Sequence, residues 1–204
     1  KGYPVFTTGI VLAPRGAGMM VAMMLVSRLI GRFDERWLIF SGLVLCALSL
    51  WDMSRFNLEV SESQIVWNGI LLGFGLGLVF PPLTTLTFAT LPARLRTEGA
   101  AINALLRNLG ASIGIAVMVS LLARSTQENR SELVGQFHPF SGGWPFGTTM
   151  PGADSTLLAV WDMEINRQAA MIGYLNDFRA MTICTVIVMP LLFLMRRQTF
   201  LPTR

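Results

Sequence analysis

The chain has 204 residues, of which 52% are hydrophobic and only 14% are charged. A soluble domain carries about 25% charge, and here the apolar residues lie in long runs, so lipid is the predicted solvent for most of the chain. The net charge of +4 comes from sixteen basic residues, all of them arginine except Lys1. Because the arginines gather at the ends of apolar runs, they indicate membrane topology and not nucleic-acid binding.

Five apolar runs are each about 17 to 25 residues long, which is the length a helix needs to cross the hydrocarbon core. They cover approximately residues 10 to 30, 37 to 53, 65 to 88, 99 to 123 and 178 to 195. These runs predict an all-α integral membrane protein with five transmembrane helices. Five is an odd number for half of a transporter, and neither Met nor a signal sequence precedes the first run, so we expect a part of a longer protein.

The connections between the runs predict which side faces the cytoplasm. The connections after the first and third runs lie on the same side as the C-terminal tail. Together these three segments hold eight of the sixteen basic residues. By the positive-inside rule, this side, and with it the C-terminus, is cytoplasmic.

The segment from 125 to 177 is too polar to cross a membrane. It contains the turn-rich stretch "SGGWPFGTTMPG", followed by apolar residues at helical spacing that predict an external amphipathic helix leading into the last span. The chain thus divides into four transmembrane helices at 1–124, an external segment at 125–177, and the last transmembrane helix with the cytoplasmic tail at 178–204. The amphipathic stripe consists of Leu157, Leu158, Trp161, Ile165, Ala169 and Ile172.

Glycines recur at four-residue spacing in the third run. Gly69, Gly73 and Gly77 share one face of a helix, with Phe80 close to the same azimuth. Close packing against a neighbouring helix explains such a ladder, and the lining of a cavity is the alternative.

A proline pair follows this ladder. Pro81 and Pro82 are expected to interrupt the helix, because proline lacks the N–H that a helix requires. Broken helices often line cavities in transporters, and Thr84, Thr85 and Thr87 would offer hydroxyl groups there. Helix packing alone is the alternative interpretation.

The fourth run carries an arginine where charge is expensive. Gly99, Asn103, Arg107, Gly110 and Gly114 fall on one narrow stripe, and the opposite side is apolar. Because an arginine facing lipid at mid-span costs about 2.5 to 3.5 kcal/mol on insertion scales, the stripe is expected to face the bundle interior or a cavity. Arg107 then either braces backbone carbonyls or acts as a cavity charge during transport, and both interpretations stay open.

Four methionines cluster in the first run. Met19, Met20, Met23 and Met24 cover more than one helix face. We interpret them as packing or lipid contacts, with the flexible wall of a promiscuous pocket as the alternative.

The sequence contains no set of residues typical of an enzyme active site. His138 is the single histidine, and Cys46 and Cys184 both fall in apolar runs, so no metal-ligand spacing exists. Phosphate-loop, "GxSxG" and "HExxH" motifs are also missing. We predict that the chain is not an enzyme and binds no metal or cofactor.

Three stretches together resemble a known family. "GFGLGLVFPPLTTLTFATLPARLRTEGAAINALLRNLGASIGIAV", which begins at Gly73, resembles the late helices of EmrB-type exporters, the 14-helix drug–proton antiporters of the major facilitator superfamily. "LAPRGAGMMVAMMLVSRLIGRFDER" is similar to the preceding helix and cytoplasmic turn, and "QAAMIGYLNDF" is similar to the entry to the last helix. The resemblance covers nearly the whole chain and is most specific in residues 73 to 116.

The resemblance implies a partial major-facilitator bundle in a bacterial inner membrane. Such transporters would export hydrophobic, often cationic or uncoupling compounds by alternating access in exchange for protons, so the proton gradient replaces a cofactor. In Gram-negative bacteria they work with a periplasmic adaptor and an outer-membrane channel. The implied cavity residues are Phe80, Thr84, Thr85, Thr87, Asn103 and Arg107, and the implied packing and hinge residues are Gly69, Gly73, Gly77, Pro81, Pro82, Gly110 and Gly114.

The cytoplasmic turn departs from the family pattern. Ser27 stands in place of a glycine and Gly31 in place of the acid, for which Asp34 is expected to substitute. No acid lies in mid-span, so the proton-carrying carboxylates are expected in the N-terminal half of the transporter. The candidate gating turn consists of Arg28, Arg32, Asp34 and Arg36.

The alternative to a transporter is a non-transporting membrane module, such as an assembly or quinone-associated subunit, in which Arg107 is structural. A transporter predicts that Arg107 borders a cavity shared with Thr84 or Thr85, whereas enclosure by backbone carbonyls would favour the module. A soluble bundle is excluded, because five such runs would leave too much apolar surface without lipid.

Overall fold

The computed structural model describes residues 5–30, 33–89, 91–136 and 155–194, which are predominantly helical. Five candidate membrane spans occur in these ranges, long and apolar enough to cross a bilayer. The prediction of an all-α membrane protein is therefore confirmed. The helices are α1 (Val5–Leu29), α2 (Glu35–Met53), α3 (Glu62–Ala89), α4 (Arg96–Gln136), α5 (Ser155–Val188) and α6 (Leu191–Leu194), with a 3₁₀ turn at Ala93–Leu95.

The helices belong to two compact units. The first unit comprises residues 1–109 and 178–204, and the second comprises residues 110–177. The functional division at residues 124 and 177 stays a prediction.

In the first unit, α3 packs against both α1 and α2. Ala22 and Val26 of α1 are fully buried against Leu78 of α3. A second cluster joins Ile39 of α2 and Leu86 of α3. Because lipid chains are as apolar as these side chains, van der Waals packing holds such helices together more than the hydrophobic effect does.

Glycines set the closeness of α1 and α3. A Cβ added at Gly73 would overlap the carbonyl oxygen of Arg15. A Cβ at Gly77 would lie 2.6 Å from the Cβ of Ala22 and 2.7 Å from the carbonyl oxygen of Met19. Only glycine lets the two backbones approach so closely, so this part of the ladder packs helices together.

The contact between α2 and α3 uses a different glycine pair. A Cβ on Gly42 would lie 2.7 Å from the carbonyl oxygen of Gly75, and one on Gly75 would lie 2.8 Å from the Cys46 sulfur. Gly75 is offset from the ladder by two residues, and therefore by about 200° around the helix. Glycines on two sides of α3 thus allow it to contact two neighbours.

A buried polar group also links α2 to α3. Asn68 is 2% exposed, and its Nδ2 donates to Asp52 Oδ2 at 2.7 Å and to the Ser49 carbonyl oxygen at 3.2 Å. The Ser49 hydroxyl donates in return to Asn68 Oδ1. Such hydrogen bonds between membrane helices contribute about 0.6 kcal/mol each on average, and their directionality fixes the register of the pair.

The expectation that Pro81 and Pro82 interrupt the third span is wrong. Helix α3 continues from Glu62 to Ala89 with both prolines inside it. Two helical N–H groups are lost, but the helix is held on both sides of the pair, since Leu78 and Leu86 lie in buried clusters and Pro82 is itself fully buried. Packing by neighbours is what allows proline inside membrane helices.

The fourth and fifth spans are longer than the hydropathy runs predicted. Helix α4 extends to Gln136 instead of ending near Ala123, because residues 124 to 134 contain no proline or glycine and include good helix formers such as Gln127 and Glu128. Helix α5 joins the predicted amphipathic helix and the last span without a break. The helix ends at Val188, just before Pro190, and resumes at Leu191.

The second unit pairs the C-terminal part of α4 with the N-terminal part of α5. Arg130 Nη2 lies 2.8 Å from Asp162 Oδ1, and Asn176 Nδ2 donates to Ser125 Oγ at 3.0 Å, so the two helices run antiparallel. Ala169 of the predicted amphipathic stripe is fully buried. The side chains of Leu157, Leu158 and Trp161 lie outside the described residues, as does the turn region at 137–154.

Candidate transport cavity

The first unit contains an open cavity of about 540 Å³. It is bounded by α1, by the proline region of α3, and by Arg107 of α4. A volume of this size suits a drug-sized molecule. The lining residues are Met19, Met23, Phe80, Pro81, Thr84 and Arg107.

Two neighbouring helices present the apolar side of the cavity. Met19 and Met23 lie one turn apart on α1, and Phe80 lies one turn before Thr84 on α3, so each pair shares a helix face. The close contact of Gly77 with Met19 brings the two faces together. The glycine ladder therefore shapes the cavity without lining it.

Sequence reasoning interpreted the methionines as packing or lipid contacts, but Met19 and Met23 line this cavity. Their spacing of four residues, which puts both side chains on one helix face, was the sequence feature that could have indicated this. It was not decisive, because Met20 and Met24 share that spacing and are 61% and 65% exposed. Flexible thioether side chains suit a wall that adapts to several ligand shapes.

The three threonines use their hydroxyl protons within their own helix. Thr84 Oγ1 donates to the Pro81 carbonyl at 2.7 Å, and Thr85 Oγ1 donates to the same carbonyl at 3.0 Å. Thr87 Oγ1 donates to the Leu83 carbonyl at 2.8 Å. Of the three, Thr84 alone lines the cavity, where its hydroxyl oxygen remains an acceptor and its methyl group extends the apolar wall.

Arg107 supplies the cavity with a positive charge. Its side chain is exposed, and no group among the described residues forms an ion pair or hydrogen bond with it. It is therefore not braced by backbone carbonyls in this part of the protein. Instead it borders a cavity shared with Thr84, which is the arrangement that the transporter hypothesis predicts.

The other members of the α4 stripe occupy different surroundings. Asn103 is half-buried one turn before Arg107 and does not line the cavity. A Cβ on Gly99 would lie 2.5 Å from Leu91 Cδ2, so Gly99 packs against the preceding connection. Gly110 and Gly114 belong to the second unit, and a Cβ on either would meet nothing within 4 Å. The structure thus brings only Arg107 from this stripe to the cavity.

The candidate gating turn lies between α1 and α2. Arg28 is exposed in the last turn of α1. Asp34 is the N-cap residue of α2, although its carboxylate makes no capping hydrogen bond, and Arg36 lies in the first turn. Arg32 lies outside the described residues. The gating role stays a prediction.

Metal chemistry was not expected, and within the described ranges no group of three histidine, cysteine or acidic side chains could hold an ion. His138 lies outside those ranges. Among the described residues, the cavity offers an apolar wall, the acceptor oxygen of Thr84 and the cation of Arg107.

Comparison with known proteins gives the family. The sequence profile of the Major Facilitator Superfamily matches residues 1–124, which include every residue that lines the cavity. The chain belongs to the Major Facilitator Superfamily. The second unit and the last span lie mostly beyond the matched region.

Individual relatives support the resemblance to EmrB-type exporters. The multidrug resistance protein Stp of Mycobacterium tuberculosis is 33% identical over 124 residues, or 60% of this chain and 23% of Stp. The probable multidrug resistance protein EmrY of Escherichia coli is 27% identical over 196 residues, or 92% of this chain and 38% of EmrY. The multidrug export protein EmrB of Escherichia coli is 23% identical over 141 residues, or 69% of this chain and 28% of EmrB. The chain thus spans less than two fifths of the length of each of these relatives.

Proposed function

We propose that this chain is the C-terminal part of a proton-coupled secondary transporter that exports hydrophobic toxic compounds by alternating access. The observation that carries the proposal is the cavity of about 540 Å³ that joins Arg107 to Thr84 and to an apolar wall. The printed names of the relatives concern multidrug resistance and export, and the matched family region contains this cavity. We expect no catalytic activity.

The cavity chemistry favours particular substrates. Met19, Met23 and Phe80 offer polarizable apolar contacts to flat or greasy molecules. The guanidinium of Arg107 attracts a carboxylate, a phenolate or the face of an aromatic ring, and it repels an isolated cation. Hydrophobic compounds that are neutral or anionic should therefore bind to this half better than cationic ones.

Proton coupling is proposed to depend on groups outside this chain. None of the described residues that line the cavity is acidic, whereas the membrane carboxylates of transporters are the groups that usually carry protons. The N-terminal part of the full protein would supply them. We place the protein in the bacterial inner membrane with the arginine-rich connections and the C-terminus in the cytoplasm.

The proposal is tested by transport in proteoliposomes that contain the full-length protein. An imposed proton gradient should drive accumulation of a fluorescent hydrophobic weak acid against its own gradient, and a protonophore should abolish it, because one pH unit supplies about 1.4 kcal/mol per proton. Protein-free liposomes control for passive partitioning of the weak acid. Accumulation that persists after the gradient has collapsed would contradict proton coupling, and its absence under every gradient would contradict export.

A periplasmic adaptor and an outer-membrane channel are proposed partners if the parent cell has an outer membrane. Helix α4 is about 60 Å long at the ordinary helical rise, roughly twice the thickness of the hydrocarbon core. We therefore propose that the polar residues around Arg130 and Asp162 lie beyond the lipid, where a soluble partner could reach them.

We expect that deletion of residues 136 to 152 weakens adaptor binding while leaving the transporter in the membrane. Co-purification of a tagged adaptor with the full-length transporter measures the effect. A flexible Gly/Ser segment of the same length is the matched control, since it keeps the connection but removes its side chains. Undiminished co-purification with both variants would count against the partner surface.

A further inference from the structure

An acidic side chain at the start of α2 is buried without a partner. Glu35 is only 4% exposed, and neither of its carboxylate oxygens has a hydrogen-bond partner among the described residues. It forms no ion pair with any of them either. A carboxylate in such surroundings loses its hydration and gains nothing in return, so its burial requires a physical explanation.

Glu35 lies on the face of α2 that packs against α3. The buried residues Ile39, Gly42 and Cys46 follow it at spacings of four and three residues, which keeps all of them on one side of the helix. Ile39, one turn further along α2, belongs to the same buried cluster as Leu86, close to the end of α3. Glu35 therefore extends the contact between the two helices by one turn, to the place where α2 begins and α3 ends.

The helices packed against α2 bring no opposite charge to this place. The one charged residue of α3 is Glu62, at its other end, and α6 has none. On α2 itself, Asp34 has the same charge as Glu35, whereas Arg36 lines a separate cavity of about 180 Å³ that Glu35 does not line, because successive residues of a helix point about 100° apart. The described charged residues of the flanking connections are exposed, and they are Arg28, Arg94, Arg96 and Glu98.

The uncharged form of the carboxyl group is the one that suits this position. Burial without a partner strongly disfavours the charged form, whereas a neutral carboxyl group is a much smaller burden on the packed helices. The positive end of the α2 dipole favours a carboxylate in the first turn, but this effect is smaller than the cost of an unpaired buried charge. Glu35 therefore carries a proton while α2 and α3 are packed in this way.

We propose that Glu35 is a proton-binding site of the transporter, occupied while the first turn of α2 packs on α3 and emptied when this turn opens. On opening, the O–H bond of the carboxyl group breaks and the proton passes to water on the side that we place in the cytoplasm. The first turn is suited to opening, because its N-cap residue Asp34 makes no capping hydrogen bond. The packed form binds the proton more tightly, so a lower pH favours packing and a higher pH favours opening.

This site adds to the carboxylates that we expect in the N-terminal part, and its role in transport rests on the proposed proton coupling. It is separate from the transport cavity, which Glu35 does not line. An exporter admits its substrate by opening at its cytoplasmic end, so release of this proton would accompany loading. The protonation of Glu35 does not itself require export, and both measurements below are made without a substrate.

Infrared spectroscopy tests whether Glu35 is protonated. The full-length transporter is reconstituted in lipid near neutral pH, and the C=O stretching band of protonated carboxyl groups is compared between the wild type and its variants. We expect Glu35→Gln to remove intensity from this band and Glu35→Asp to shift it. The matched control, Glu62→Gln, removes an exposed acid from the first turn of α3 and should leave the band unchanged.

Two infrared results would overturn the proposal. One is an unchanged carboxyl band in Glu35→Gln, since Glu35 would then be charged in the wild type. The other is a new carboxyl band in Arg36→Gln, because it would show that Arg36 keeps the neighbouring acid charged.

Fluorescence quenching tests whether the proton controls the first turn of α2. Trp37 packs edge-on against Phe40 and Phe193, so opening of this turn changes its access to water. In a full-length form that retains only this tryptophan, quenching by acrylamide, which is uncharged, should rise with pH. The population of the open turn should increase by up to about tenfold per pH unit, which is the limit for one proton.

Variants make the fluorescence result specific. Glu35→Gln should hold the quenching of Trp37 at its low-pH level, and a form that retains only Trp67, near the start of α3, should show no pH response. A pH response of Trp37 that persists in Glu35→Gln would overturn the proposal. A flat response in the form with native Glu35 would also overturn it, so the test stands even if Glu35→Gln fails to fold.

Discussion

Replacement of Arg107 by alanine is expected to leave the transporter in the membrane and to abolish most of its export. Insertion should not suffer, because alanine is apolar and replaces a charge that is costly wherever it meets lipid. Export should fall by about 10- to 100-fold for an anionic substrate, since a hydrogen bond to a charged group contributes about 1.5 to 3 kcal/mol. Drug susceptibility of cells and uptake into proteoliposomes measure the loss.

Two further substitutions make this result specific. Arg107→Lys keeps the charge but loses the planar guanidinium, so we expect partial export. Arg124→Ala removes an exposed arginine from the same helix, where its only described partner is Glu128 at 3.5 Å, and should have little effect. If Arg107→Ala, expressed at wild-type level, exported an anionic substrate at full rate, the cavity role of this residue would be excluded and the structural interpretation would gain.

Hydropathy predicted the presence of the membrane spans but not the lengths of their helices. The fourth run loses its apolar character near Ala123, yet α4 continues to Gln136. Hydropathy reports where lipid ends, whereas a helix can continue through polar residues, and residues 124 to 134 contain neither proline nor glycine. The same difference explains why α5 is one helix across the predicted boundary at Phe178 and ends only at Val188, before Pro190.

The candidate site was predicted in part. The helical stripe predicted that Arg107 faces a cavity, because the azimuth of a residue follows directly from sequence position, and Arg107 does border one. It could not show that Asn103 stays outside the cavity, or that Met19 and Met23 enter it. Those facts depend on how α1 lies against α3, and that geometry is set by glycine contacts between residues distant in the sequence.

The proline pair was the sequence feature whose structural effect was predicted least well. Because proline has no backbone N–H, Pro81 and Pro82 each remove one helical hydrogen bond. The sequence therefore predicted a broken helix. The lost hydrogen bonds lie within α3, whereas the packing that compensates for them comes from other helices. Pro82 is buried, and α3 is held by both α1 and α2. A single sequence does not reveal contacts of this kind, so the hinge interpretation could not be separated from packing in advance.

Alanine substitutions along the glycine ladder are expected to have very different effects at neighbouring turns of α3. Alanine at Gly73 would place its Cβ against the Arg15 carbonyl oxygen, and alanine at Gly77 would place it against Ala22 and Met19. Each should destabilise the bundle by about 1 to 3 kcal/mol through overpacking. Thermal unfolding of the purified full-length transporter, followed by size-exclusion chromatography, measures these losses.

Gly69→Ala provides the matched control on the same helix face. There the added Cβ would meet only the Arg15 Cβ, at 3.7 Å, which is an ordinary van der Waals contact. Since alanine also favours helix over glycine by about 0.8 to 1 kcal/mol, this variant should be as stable as the wild type or slightly more stable. Because Gly77 contacts the backbone that carries Met19, Gly77→Ala should also widen the transport cavity and alter substrate selectivity, whereas Gly69→Ala should not. Equal stability of the three variants would show that α1 and α3 do not pack as closely as described, and the shape of the cavity would then need another explanation.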